Sequence, residues 1–326
     1  MAGDRFWHSL EITASRRLIL QRDHPIVSTE ASSVPRTDIA RGILLMLLQA
    51  FLFAAMDALV KLATERHPTG QIVFFRNLFA LIPVFFFVRQ AGGISILRTR
   101  RLGQHIIRSL GGVASMVALF LAYSYMPLAD AMAISTSGPI FLTALSVPLL
   151  GEHVGWRRWG AVIVGFIGIL IITRPGSGVF GLAALLPLGG AFFYAIAMVQ
   201  IRKLSSTEPP ARIVFYFTIA AMLLGAISLP WQWVTPTPLS LVYLIGIGLV
   251  GGIAQMIMTH AFRLAPVSVV GPFDYTGLIF GAAFGYAIWQ QVPDRFVWLG
   301  AAVIIASGIY ILHRETVRRR QVQPAA

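Results

Sequence analysis

From Gly42 to Leu312 the chain alternates long apolar runs with short polar connections, and most runs approach the 20 or so residues that carry a helix across a bilayer. Ten runs can be marked: Gly42 to Ala63, Gly70 to Val88, Ile106 to Tyr125, Leu128 to Leu150, Gly160 to Ile172, Gly181 to Ile201, Ile213 to Leu229, Leu241 to Phe262, Val267 to Trp289 and Val297 to Leu312. The Met126-Pro127 and Ala265-Pro266 turns are the sharpest boundaries, because proline resists continuing a helix. The pattern predicts an all-α integral membrane protein of ten transmembrane helices.

Two of the runs are interrupted at corresponding points. Ser135-Thr136-Ser137-Gly138-Pro139-Ile140-Phe141 and Asp274-Tyr275-Thr276-Gly277-Leu278-Ile279-Phe280 place hydroxyls, glycines and a carboxylate inside otherwise apolar segments. Gly138, Pro139 and Gly277 are the expected helix breaks. Interrupted segments at matching places in the two halves of a transporter point to its substrate site.

The halves themselves repeat. Gln71 to Phe75 matches Arg212 to Tyr216, and Ala50-Phe51 matches Ala191-Phe192, both at a shift of 141 residues. Met126-Pro127 matches Ala265-Pro266 at 139, and Gly160-Ala161 with Gly168 matches Gly300-Ala301 with Gly308 at 140. Each repeat holds an odd number of spans, so the second enters the membrane from the opposite side and the symmetry is inverted. The expected organisation is a disordered tail over 1–40, a first five-span repeat over 41–173, a linker over 174–180, a second repeat over 181–313 and a basic tail over 314–326. The amino-terminal tail lacks an apolar signal core, and Asp4, Glu11 and Asp23 argue against a transit peptide.

Composition agrees: 56% of residues are hydrophobic and only 12% charged, with a mean hydropathy of +0.75, too apolar for a soluble domain of this length. The net charge of +13 is explained by topology rather than by nucleic acid. With the amino terminus in the cytoplasm, Lys61, Arg66, Arg174 and Arg295 fall outside and Arg76 lies within a span, leaving 21 of the 26 Lys and Arg inside. Both termini are then cytoplasmic. There is no cysteine, hence no disulfide framework and no thiolate metal site.

This pattern resembles the drug/metabolite transporter superfamily, in its ten-span branch of paired EamA-type repeats. The resemblance rests on the paired five-span repeats, Phe75-Arg76-Asn77, the Ala-Tyr-Ser-Tyr-Met-Pro turn, Gly151-Glu152 and the final Gly-Ile-Tyr-Ile-Leu run. Where the family often repeats the Gly-Glu, this chain has Trp289-Gln290-Gln291, so no role passes to a second glutamate. The resemblance implies a secondary transporter of a small organic metabolite in the bacterial cytoplasmic membrane, most like riboflavin and S-adenosylmethionine transporters, with amino-acid exporters sharing the frame.

The candidate substrate residues are Ser135, Thr136, Ser137, Tyr194, Asp274, Tyr275 and Thr276. Asp274 is expected roughly 12 Å from the cytoplasmic end of its span, opposite a neutral repeat partner, Ser135; it either holds the broken helix together or serves binding and proton coupling. Asp57 and Arg76 lie at similar depth, about 9 Å from the outer end, and are read as a structural ion pair or a gate. Each would cost roughly 2.5 to 3.5 kcal/mol unpaired near a helix centre, so both should face the interior. Asp130 and Arg108 are placed near span ends, where water or snorkelling satisfies them. His260 has no neighbour at metal-ligand spacing, and neither metal nor cofactor is expected. Phe193, Tyr123 and Phe273 could present flat faces to an aromatic ligand, but packed or lipid-facing positions are the default for such side chains, and Tyr194 and Tyr275 are the aromatics singled out. The rows Ala161, Gly165 and Ala302, Ala306 fit close helix packing, within the bundle or between the copies of a homodimer.

No nucleophile elbow, paired-histidine zinc motif or phosphate-binding glycine loop is found, which argues against a membrane enzyme and against direct ATP hydrolysis. A channel needs one continuous pore, whereas an inverted repeat supplies two access states. The expected partners are therefore a small-molecule substrate and lipid, and no nucleic acid.

Overall fold

The computed structural model describes residues 36–150, 155–174, 181–205, 207–264 and 270–322. Helices α1 (Arg36–Thr64), α2 (Thr69–Gln90) and α3 (Leu102–Tyr123) are followed by a span in two pieces, α4 (Leu128–Ser135) and α5 (Gly138–Leu150), and by α6 (Trp156–Thr173). The second half runs through α7 (Leu185–Ser205), α8 (Pro210–Ile227), the one-turn α9 (Leu229–Gln232), α10 (Pro238–Leu264), a 3₁₀ turn Gly271–Tyr275 leading into α11 (Thr276–Trp289), and α12 (Arg295–Val322). Eight segments among the described residues are long and apolar enough to cross a membrane; the apolar part of α6 and the broken Gly271–Trp289 segment complete ten spans.

Several ends fall outside their expected positions. The first helix already begins at Arg36, within the stretch expected as a tail, and α12 continues through the basic residues to Val322. Gly151-Glu152, the Ala265-Pro266 turn, residues 1–35 and the linker beyond Arg174 lie outside the described residues.

The packing repeats the sequence symmetry. α1 packs on α10 as α7 packs on α3; α2 packs on α10 as α8 packs on α3; α11 lies against α1 as α5 lies against α7. The pairs α2 with α8 and α6 with α12 are each formed by a helix and its own repeat counterpart. Exchanging the two halves maps this network onto itself, which is the signature of two inverted five-helix repeats. In α3 and α10, Gly111-Gly112-Val113-Ala114-Ser115-Met116 aligns with Gly251-Gly252-Ile253-Ala254-Gln255-Met256.

Without a hydrophobic drive between helices in lipid, close approach comes from small residues and from hydrogen bonds. At the α6–α12 crossing a Cβ added to Gly300 would stand 2.6 Å from the Gly168 carbonyl oxygen, so backbone meets backbone there. Ser307 of α12 donates to the Ala161 carbonyl of α6 at 2.6 Å. Ala161 and Gly165 are thus used inside the bundle, while Ala302 and Ala306 face outward. The outer surface carries the lipid-compatible side chains, among them Ile82, Phe86, Ile107 and Ile163.

Candidate functional site

The broken spans use their hydroxyls on themselves. Ser135, Thr136 and Ser137 donate to the carbonyls of Met132, Ala133 and Ile134 at 2.8, 2.6 and 2.7 Å, and Thr276 donates to Phe273 at 2.6 Å. Each bond reaches back three residues, and the Met132 and Ile134 carbonyls accept a backbone N–H as well, from Thr136 and Ser137. Their donors are therefore spent; Ser137 is fully buried, whereas Ser135, Thr136 and Thr276 are half-buried. Gly138 opens α5 beneath the ring of Tyr194: a Cβ there would stand 2.8 Å from Tyr194 Cδ1. Pro139 sits in the first turn of α5, where a missing N–H costs nothing, and its carbonyl accepts from Thr143. Gly277 is buried near the Ala50 backbone of α1.

Asp274 lies in the 3₁₀ turn, where its Oδ1 accepts a 2.6 Å hydrogen bond from Gln49 Nε2 of α1. Gln49 is fully buried, yet Asp274 and Tyr194 are exposed. The bond ties an exposed carboxylate of the second repeat to a buried amide of the first. Tyr194 stands within electrostatic range of both Asp274 and Arg108. Tyr275 turns away, its hydroxyl packed against Gly308 of α12 without a hydrogen bond.

Farther along α1, Asp57 attracts Arg76 of α2. No salt bridge joins them: Arg76 Nη1 donates instead to Asn77 Oδ1 at 3.0 Å, and its Nε has no hydrogen-bond partner. Tyr123 lies against Asp57, but its hydroxyl lacks hydrogen-bond geometry.

Arg108 corrects the sequence reading. Its side chain does not snorkel to the surface; the residue is 7% exposed, its Cζ sits 3.8 Å from the ring centre of Phe217, and Nε and Nη1 make no hydrogen bond. Asp130 is likewise buried, with Oδ1 unpartnered, near Lys61 and the Arg174–Asp294 salt bridge of 2.8 Å. His260 is exposed, and among the described residues no three His, Asp or Glu side chains converge on a metal position.

Both ends of the bundle carry polar locks. At one end, Lys61 Nζ donates to the carbonyls of Tyr123 and Met126, each at 2.8 Å, tying α1 to the end of α3. At the other, Glu208 accepts from Thr99 at 2.9 Å and from Arg212, with His105 at 3.7 Å, while Tyr216 donates to Leu97 at 3.0 Å. Burial opposes the charge on Glu208, but these donors prevail and hold its carboxyl below the ordinary value. A separate hollow of about 510 Å³ near His67, Tyr125 and Gln232 contains none of the central charges.

Ten spans in an inverted repeat, with Asp274 of one half tied to Gln49 of the other, define a multi-pass membrane protein. The chain belongs to the EamA-like transporter family, whose profile matches residues 40–174 and again 181–313. Among proteins it resembles are a riboflavin transporter of Vibrio cholerae, 30% identical over 86% of this chain and 96% of that one, and a pseudopaline exporter of Pseudomonas aeruginosa, 34% identical over 82% and 94%. An S-adenosylmethionine uptake transporter of Rickettsia bellii is 29% identical over 84% and 94%. A solved crystal structure shares the fold with a TM-score of 0.60 at 16% identity, covering 85% of this chain and 96% of the other.

Proposed function

We propose that the protein is a secondary carrier of the bacterial cytoplasmic membrane, with both termini inside, that moves a small organic metabolite by alternating access. The observation that carries this reading is the exposed Asp274 bonded to the fully buried Gln49 of the other repeat, which we read as lining a central cleft between the repeats. Riboflavin uptake is the first specific reading. Tyr194 supplies a flat face and Gln49 with Asp274 supplies polar groups, and the V. cholerae relative is named for that vitamin. Uptake of S-adenosylmethionine, or export of an amino acid or related metabolite, is a second reading, favoured by opposite charges, Arg108 and Asp274, that both act on Tyr194.

Counterflow in proteoliposomes tests the class. Preloaded unlabelled riboflavin should accelerate entry of labelled riboflavin without ATP, with saturation. Movement of S-adenosylmethionine with no movement of riboflavin would replace the first reading by the second; an absolute need for ATP by the purified protein would sink the carrier reading.

A further inference from the structure

A guanidinium shut away from water ordinarily has its N–H groups paired, because each charged donor left open in a poorly polar setting is costly. Arg108 does not follow this rule. Its Nε and Nη1 are closed to solvent and unbonded, and its near neighbour is the face of Phe217. Arg76, on the adjacent α2, repeats the defect at Nε, and the two like charges lie within electrostatic range of each other. Among the described residues neither is closed by a carboxylate: Asp57 stops short of a salt bridge with Arg76, and Asp274 is bonded to Gln49.

The geometry points to a bipolar substrate site in which Arg108 and Arg76 hold a carboxylate or phosphate of the transported molecule and Asp274 receives its cationic part. This rests on reading the central cleft as the transport site. Planar guanidinium forks match the two oxygens of a carboxylate or phosphate, and such charge-assisted bonds are about twice as strong as neutral ones. An incoming anion would satisfy the open donors and screen the repulsion between the arginines. Asp274 keeps Oδ2 outside the bond to Gln49 and is exposed to the cleft, so it can accept from an ammonium or lie against a sulfonium.

The test uses two probe pairs on the full-length protein purified in detergent, each differing in one anionic group: S-adenosylmethionine against its decarboxylated analogue, and riboflavin 5′-phosphate against riboflavin. In any pair that binds, the anionic member should bind at least about tenfold tighter. Arg108→Gln should erase that difference, and Asp274→Asn should weaken the sulfonium pair but spare the flavins. Preference confined to the first pair identifies a carboxylate, and to the second a phosphate. Equal binding within a pair, or equal weakening of both members by Arg108→Gln, would overturn the proposal.

A ligand-free arm guards against an unsuitable choice of probes. Removing an uncompensated buried charge should leave the thermal midpoint of Arg108→Gln and Arg108→Met at or above wild type, whereas a structural arginine would lower it by several degrees and overturn the assignment. Absence of counterflow for every solute with the binding preference intact would instead count against the carrier reading alone.

Discussion

Gln49 and Asp274, 225 positions apart, are joined by a 2.6 Å hydrogen bond from Nε2 to Oδ1. The bond fastens the first span of one repeat to the interrupted span of the other. Asp274→Asn keeps the size of the side chain and a hydrogen bond to Gln49 but removes its capacity to titrate. The expected outcome is normal membrane insertion, altered substrate affinity and flattened pH dependence of uptake. Wild-type uptake at every pH in the variant would leave Asp274 with only a structural task.

Gly138 lies under Tyr194, so Gly138→Ala should displace the ring by some tenths of an ångström and lower transport several-fold with near-normal expression. The control is Gly189→Ala in α7, where an added Cβ meets nothing within 4 Å. There, helix propensity favours alanine by up to about 1 kcal/mol, and transport should be unchanged. Equal transport by the two variants would show that the Tyr194–Gly138 contact has no bearing on the cleft.

Glu208 gives a pH prediction at one end of the bundle. Its folded carboxyl titrates below the unfolded value of about 4.5 because Arg212 and Thr99 donate to it, so its contribution is present above that value and is lost as pH falls through the lower, folded one. Thermal midpoints of wild type should therefore drop in acid below about pH 4.5, and Glu208→Gln should be less stable at neutral pH with a shallower acid drop. An identical acid limb in both proteins would rule Glu208 out as its source.

Topology is tested at Ser177, outside the described residues. The absence of native cysteine leaves a clean background, so Ser177→Cys should react with an impermeant thiol reagent in intact cells and Arg319→Cys should be protected. The reverse pattern would invert the proposed orientation.

The ten spans were legible because lipid forces backbone groups to pair within the helix, and long apolar runs are the sequence form of that demand. The interruption at Ser135 to Gly138 was legible for a local reason: clustered hydroxyls and glycine compete with the backbone ladder. Arg108 was misplaced through a boundary. Counted from Ile106 it is the third residue of its span, but α3 begins at Leu102, hidden in the sequence by Gln104 and His105, and the extra turn carries the guanidinium inward. Gln49 was missed because a single amide inside an apolar run looks tolerable until its partner, far away in sequence, is known. Glu208 left a faint mark in its i,i+4 spacing to Arg212.

Symmetry of the scaffold does not extend to its charges. At the repeat shifts, Arg76 corresponds to Phe217 and Arg108 to Gly248, so exchanging the conformations of the halves restores the same helix contacts around a different electrostatic centre. The inward- and outward-facing forms can therefore share a backbone design without sharing an energy. In the proposed alternating-access carrier, a solute approaching from one compartment would meet the guanidinium pair at a different stage of its path than one approaching from the other, which would give the molecule a preferred resting face. Measured from the two sides of a vesicle, that preference reads out as unequal half-saturation concentrations.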